Sequence, residues 1–357
     1  MASLQSHSGT VETNHSAMRS THHSASSSIL PAAAGGLAGI FERAGLVVDL
    51  SAVEQLLLER VQSRSALVSA AGTHTVRAGG KRLRAALALL AARLHEYSLP
   101  RVIHAATAAE LIHAASLVHD DLVDQASRRR GHVTVHTRWD NDVALMVGDY
   151  FFALAAAEMA RSPDRRIISF YAAAVQTICE GELSPVTMIE PADAALEQYL
   201  FKTGAKTAVL FEAACKAGAA AGGASDEEIA LLGRYGFDLG VAFQIVDDVL
   251  DFTGDERTLG KPAGNDLRQA TITLPLIYAA AASPSPRLRR VIEQAPADDA
   301  AIADVIDEVI ALGGVAAAQA EAQRYIERAI TALDRFGNTQ TRRALIDIAR
   351  FVVERSA

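Results

Sequence analysis

LIHAASLVHDDLVDQ, residues 111–125, is an apolar stretch that closes on three carboxylates, Asp120, Asp121 and Asp124. Its apolar spacing predicts a helix, and on a helix residues four apart lie one above the other, so Asp120 and Asp124 share a face. Aspartate is a poor helix former, and like charges at this spacing repel. Local rules are broken here, which is how functional positions announce themselves. FQIVDDVLDF, residues 243–252, repeats the D-D-x-x-D form with Asp247, Asp248 and Asp251. Gly233, Gly236 and Gly240 lie upstream, where small residues let helices approach closely. One such cluster alone reads equally well as a solvated helix end. Two in strongly apolar helices read as one converging site, and that many carboxylates need cations. Mg²⁺ takes one or two carboxylates plus substrate phosphates more readily than an all-protein cage. The implied ligand is a Mg²⁺-bound diphosphate.

Outward from these clusters the chain reads as helix nearly throughout. It has 357 residues, 50% apolar and 21% charged, with only 10 prolines. Ala and Leu, the best helix formers, dominate, and β-type alternation is nearly absent. The first helix is expected around Val53–Val61, capped by Asp49 or by Ser51 with Glu54 as a capping box. Ser225 is the expected N-cap of a later helix. RRRGH (128–132) and TGDERTLGKPAGND (253–266) read as loops. Residues 1–34, rich in Ser and His, read as a disordered tail, and 35–357 as one all-α domain. The most apolar run, Val143 to Ala160, carries Asp149 and Glu158, so it reads as a buried core helix and not as a transmembrane segment. A net charge of −8 argues against nucleic acid as a partner. Cys179 and Cys215 have no metal-type spacing, and a reducing cytoplasm fits them.

Basic residues sit where phosphates could use them. Lys81, Arg82 and Arg84 fall in an expected first helical turn after Gly79-Gly80. Cations are disfavoured at a helix N-terminus unless an anion occupies it. Arg128, Arg129 and Arg130 follow the first cluster directly; Arg forks grip phosphate, although a salt bridge to the same aspartates is an equal use for one of them. Lys202 and Lys206 share a face, with Thr207 beside them, and Lys261 lies in the loop after the second cluster. His113 sits about two turns before Asp120, a position that fits a packed core histidine as well as a ligand.

GGKRLR, LVHDDLVD with the following RRG, GDY (148–150), GE (181–182), KTA (206–208), GxAFQIVDDVLD and GND–TLPL (264–276) occur in this order. Over residues 45–350 the chain resembles the trans-isoprenyl (all-trans polyprenyl) diphosphate synthase family. The resemblance implies an all-α bundle around a deep central cavity, a homodimer, and three Mg²⁺ ions held by the two Asp motifs. By motif position Asp120, Asp121, Asp124, Asp247, Asp248 and Asp251 are the implied metal ligands. Lys81, Arg84, His113 and Arg130 are implied to hold isopentenyl diphosphate. Arg129, Lys206, Thr207, Gln244 and Lys261 are implied to hold the allylic diphosphate. Three departures stand out. Ala85 replaces the family's usual Pro, Pro185 stands where GExxQ has Gln, and Ala270-Thr271 replace Gly-Lys.

The implied product grows along the helix of the first motif, about one isoprene unit per 5.4 Å turn. Short-chain members block this path with aromatics four or five residues before the first Asp. Here those positions are Ser116 and Ala115, both small, and one turn further lies Ile112, one candidate floor. Phe151 and Phe152 are alternative floors. The expectation is a medium- or long-chain synthase, with geranylgeranyl diphosphate synthase as the alternative and peripheral membrane contact at product release. A class I terpene cyclase would carry a different second motif. A non-catalytic subunit would have lost metal aspartates.

Overall fold

The computed structural model describes residues 36–254, 263–294 and 298–355. The expected tail, residues 1–34, and Lys261 lie outside them. The helices are α1 (Leu37–Arg43), α2 (Val47–Arg60), α3 (Ala66–Arg77), α4 (Leu83–Arg93), α5 (Leu99–Val123), α6 (Val135–Arg138), α7 (Asn141–Met159) and α8 (Arg166–Glu182). After them come α9 (Ala192–Thr203), a π-helical turn (Gly204–Ala208), α10 (Val209–Ala221), α11 (Asp226–Thr253), α12 (Asn265–Arg268), α13 (Leu274–Ala282), α14 (Pro286–Glu293), α15 (Asp299–Ala311), α16 (Gly314–Thr331) and α17 (Gln340–Glu354). The expected all-α architecture stands. Among the described residues the exception is a two-stranded antiparallel hairpin, β1 (Arg128–Arg129) and β2 (His132–Val133). It occupies the stretch expected to be a plain loop. Its turn residues, Arg130 and Gly131, have φ of 50° and 79°, the double-positive signature of a tight I′ turn. Glycine meets that demand freely. Arginine does so under strain, and such strain gathers at functional sites.

At the centre lie α5, α10 and α11. In α10, Leu210, Phe211, Ala214, Cys215 and Ala217 are all buried, and α10 packs against α4, α8 and α11. Burying a Leu or Phe side chain contributes about 1.5–3 kcal/mol, so α10 is the main apolar anchor. The upstream glycines of α11 do serve close packing. A Cβ on Gly236 would stand 2.6 Å from the Phe211 carbonyl oxygen, and one on Gly240 would stand 2.6 Å from Ala208 Cα. α11 is long and apolar enough to cross a membrane, but it lies within the bundle and carries the second Asp cluster.

Three local expectations are corrected. The first long helix begins at Val47, with Leu46 as a cap that makes no side-chain bond. Asp49 does not cap it, because its carboxylate accepts from Arg93 at 2.5 Å and from the Tyr97 hydroxyl. α7 is not a fully buried core helix: Leu145 and Met146 are exposed on its outer face. α4 starts at Leu83, so Lys81 precedes it and Arg82 is its N-cap, with φ of 48°. Ser225 caps α11 as expected, in a capping box with Glu228.

Two variants test this packing. Gly236→Ala pushes a methyl group against backbone and should lower stability by about 1–3 kcal/mol, an overpacking cost, in urea unfolding. An unchanged midpoint would refute the contact. Ala270 has φ of 50°, the conformation that the family's usual Gly adopts without strain. Ala270→Gly should therefore raise stability by roughly 1 kcal/mol, and a loss would count against the assigned backbone.

Candidate active site

A cavity of about 760 Å³ opens between α4, α5, α10 and α11 and the hairpin. Both Asp clusters reach it at the C-terminal ends of their helices. Asp124 is the C-cap of α5, and Asp247 lies in the last two turns of α11. A helix C-terminus carries partial negative charge, so carboxylates there are doubly unfavourable without cations. Asp120, Asp121, Asp124 and Asp247 line the cavity.

The remaining two expected metal ligands do not line it. Asp248 is buried and accepts from the Tyr199 hydroxyl at 2.6 Å and from Gln244 Nε2 at 2.9 Å. Asp251 is also buried, and its Oδ2 accepts from the Asp266 amide at 2.9 Å. It ties the GND segment to α11 instead of facing the cavity.

Consecutive residues of the π turn reach both clusters. Lys206 Nζ stands 2.8 Å from Glu182 and 3.8 Å from Asp120. Thr207 donates to Gln244 Oε1 at 2.9 Å, and Gln244 continues to Asp248. π turns concentrate at functional sites. Burial lowers the Lys206 pKa, but Asp120 and Glu182 outweigh it and hold the amine above its usual value. Burial pushes Asp120 up to about 6, with the Glu182 and Asp124 charges adding and Lys206 opposing.

Basic side chains line the same cavity. Lys81, Arg84, Arg129 and Arg130 line it, together with His113. Burial pushes Arg84 down to about 10, and Arg130 adds to that. Burial and then the Arg84, Arg130, Arg129 and Arg82 charges hold His113 well below the usual histidine range, so it is neutral. Burial and Arg355 likewise depress Lys81. Cations that depress one another in a half-closed cavity make a site for a polyanion. Arg82 also lines the cavity but is held by Glu54 at 3.2 Å and Glu110 at 3.6 Å. Glu110 also accepts from the Ala85 amide at 3.1 Å, an N–H that the family's usual proline lacks.

The hairpin arginines have interim partners. Arg129 donates to Asp121 at 2.7 Å, realising the salt-bridge reading for one of the three arginines. Arg130 donates to the Gly79 carbonyl, and a Cβ on Gly80 would meet its guanidinium at 2.7 Å. Arg128 bonds Gly131 at the surface. Sequence reasoning missed Arg355, which pairs with Asp247 at 2.8 Å and lies over the Phe243 ring. It also missed the functional use of Glu182 and Tyr199. The GE pair was visible in the motif order, whereas Arg355 has no motif around it.

On α5, Ser116 lines the cavity, but Ala115 and Ile112 do not. Both are fully buried, on the helix face that carries His119 against α7. Ile112 as the cavity floor is therefore not what this structure displays.

A divalent ion suits the donors on the acidic wall, which are hard carboxylate oxygens. Among the described residues no three His, Cys, Asp or Glu side chains are arranged to hold an ion by themselves.

The polyprenyl synthetase family profile matches residues 65–309. The chain belongs to the polyprenyl synthetase family. A heptaprenyl diphosphate synthase component 2 from Geobacillus stearothermophilus is 39% identical over 86% of this chain and 96% of its own length. An octaprenyl diphosphate synthase from Escherichia coli is 34% identical over 86% and 96%. Among solved structures, a Caulobacter crescentus polyprenyl synthase complexed with calcium and isoprenyl diphosphate superposes with a TM-score of 0.84. It is 35% identical and covers 92% of this chain and 100% of its own. A polyprenyl diphosphate synthase, hence a prenyltransferase, is what the motif order implied, and that reading stands. The geranylgeranyl alternative is not better supported, since heptaprenyl, octaprenyl and decaprenyl synthases figure among these relatives.

Burial pushes the pKa of Asp248 up to about 8, with Asp266 and Asp247 adding and the Tyr199 and Gln244 bonds opposing. A carboxyl whose folded pKa is raised adds stability below its unfolded value of 3.8 and loses it as pH rises through about 8. Metal-free protein should thus fall in Tm between pH 5 and 9, and Asp248→Asn should flatten that fall. Parallel declines in both proteins would contradict the protonated state of Asp248.

Proposed function

We propose that this chain joins isopentenyl diphosphate to an allylic prenyl diphosphate in repeated head-to-tail steps, making a medium- or long-chain all-trans polyprenyl diphosphate. The observation that carries the reading is the convergence of four aspartates and a set of cations depressed by burial on one cavity. In this reading Asp120, Asp121, Asp124 and Asp247 hold Mg²⁺ with the allylic diphosphate, three ions per site; Asp248 and Asp251 shape the second cluster from behind. When bound, the ions supply positive charge against the departing diphosphate.

The protein's own residues do the rest. Lys206, Thr207, Gln244 and Arg129 hold the allylic diphosphate, with Lys261 as a further holder outside the described residues. Lys206 neutralises charge as the allylic C–O bond breaks, which is where electrostatic stabilisation counts most. Lys81, Arg84, Arg130 and the neutral His113 hold isopentenyl diphosphate with its double bond toward the cation. A carbon–carbon bond forms, and the lost proton passes to the released diphosphate. Leu117, Ile178, Phe211 and Phe243 give the cavity an apolar lining that keeps water from the cation.

A second copy of the chain is the proposed partner, and the exposed apolar side chains Leu145 and Met146 of α7 and Ile168 and Leu183 at the two ends of α8 are surface it could cover. The name component 2, borne by two relatives, supports a different subunit as the other occupant. The mass of the purified chain in solution separates the two. Cys179 and Cys215 are both unpaired thiols, in keeping with the cytoplasm.

The test is product sizing with Mg²⁺, farnesyl diphosphate and excess isopentenyl diphosphate. Products beyond geranylgeraniol after dephosphorylation are expected; a stop at that length would return the short-chain alternative. Asp120→Asn should cost on the order of 10³-fold in turnover. Ser116→Phe, at the cavity wall, should shorten the product with the fold intact. Ile112→Ala should leave product length unchanged and cost about 2–5 kcal/mol of stability.

A further inference from the structure

The hairpin that carries Arg129 and Arg130 is too short to hold itself. Two residues per strand form no stable sheet in water. Part of what fixes it is the pair of arginine contacts to Asp121 and the Gly79 carbonyl. On the proposed reading both arginines leave those partners for phosphate when substrates bind. The hairpin would loosen just when its position matters most, unless a tie exists that uses neither arginine.

His74, on α3, makes such a tie. Its Nε2 lies 2.7 Å from the Val133 carbonyl oxygen, on the strand residue paired with Arg128. Arg138 Nη1 lies 3.2 Å from Nδ1 of the same ring. A guanidinium can only donate, so Nδ1 accepts and Nε2 carries the proton. That tautomer makes Nε2–H the donor to Val133. Trp139 holds the ring edge-on, with centroids 5.6 Å apart and planes at 79°, and Arg138 covers the Trp139 ring in turn. The imidazole is thus fixed in place, orientation and tautomer by two neighbours outside the acidic and cationic walls.

We propose that His74 is a positioning residue for diphosphate binding: through Val133 it holds the Arg129–Arg130 hairpin in place while those arginines exchange protein partners for phosphate. The proposal rests on the diphosphate reading above. Nothing in the motif order pointed to His74, although it also lines the cavity.

The test uses the full-length protein, Mg²⁺ and inorganic pyrophosphate as probe, with affinity read by calorimetry and hairpin exposure by tryptic cleavage after residues 128–130. His74→Phe keeps a ring against Trp139 but has no donor. His74→Gln keeps an N–H near Nε2. His74→Phe should weaken pyrophosphate binding roughly three- to tenfold, the worth of one hydrogen bond. It should also speed hairpin cleavage in the pyrophosphate-bound state, and His74→Gln should restore both to within about twofold of wild type. A merely structural role would lower Tm without this split between the two variants. His74→Phe binding and resisting trypsin like wild type would overturn the proposal, as would His74→Gln failing as badly as His74→Phe. Wild-type protein that binds no pyrophosphate would instead overturn the diphosphate reading, and the proposal with it.

Discussion

Repulsion between carboxylates at the ends of two apolar helices is the constraint around which this molecule is arranged. α5 and α11 each bring aspartates to a C-terminus whose backbone is already partly negative. Packing against α10 and its neighbours holds both ends at one cavity, so the repulsion cannot be relieved by moving apart. It is met instead by Lys206 beside Asp120, Arg129 beside Asp121 and Arg355 beside Asp247. Burial shows its cost in the raised pKa values of Asp120 and Asp248.

The cationic wall mirrors this arrangement. Arg130 lowers the proton affinity of Arg84, both lower that of His113, and Glu110 pairs with Arg82. A strained Arg130 and a two-residue turn give up local stability to place two guanidiniums at the cavity mouth. Acidic and basic groups line one cavity, and a metal diphosphate satisfies both at once.

Much of this was legible in the sequence, and the physics says why. The helical reading holds because Ala and Leu propensity and three-to-four spacing are local signals that tertiary packing did not oppose. The Asp clusters stood out because they violate those same signals. The limits are equally physical. Asp251 carries the motif yet bonds the Asp266 amide, since a D-D-x-x-D spells spacing along a helix but not which carboxylate the next loop will claim. Asp49 suited a cap and went to Arg93 and Tyr97, partners more than forty residues away. Arg355 and His74 act through contacts distant in sequence, which no local pattern encodes. The hairpin was hidden because two-residue strands leave no alternation to read.

The π turn at residues 204–208 places Lys206 and Thr207 toward opposite clusters, and its effect extends beyond those two side chains. A π turn is in essence one extra residue carried within a helix, and each residue of an α-helix turns the chain by about 100°. α9 and α10 therefore run out of phase with each other by that amount. α10 is buried on nearly every side, so that offset fixes which neighbour each of its side chains meets. Chain length at this point is a rotational setting for the central helix, so a single-residue insertion or deletion here would turn every side chain of α10 toward a different neighbour.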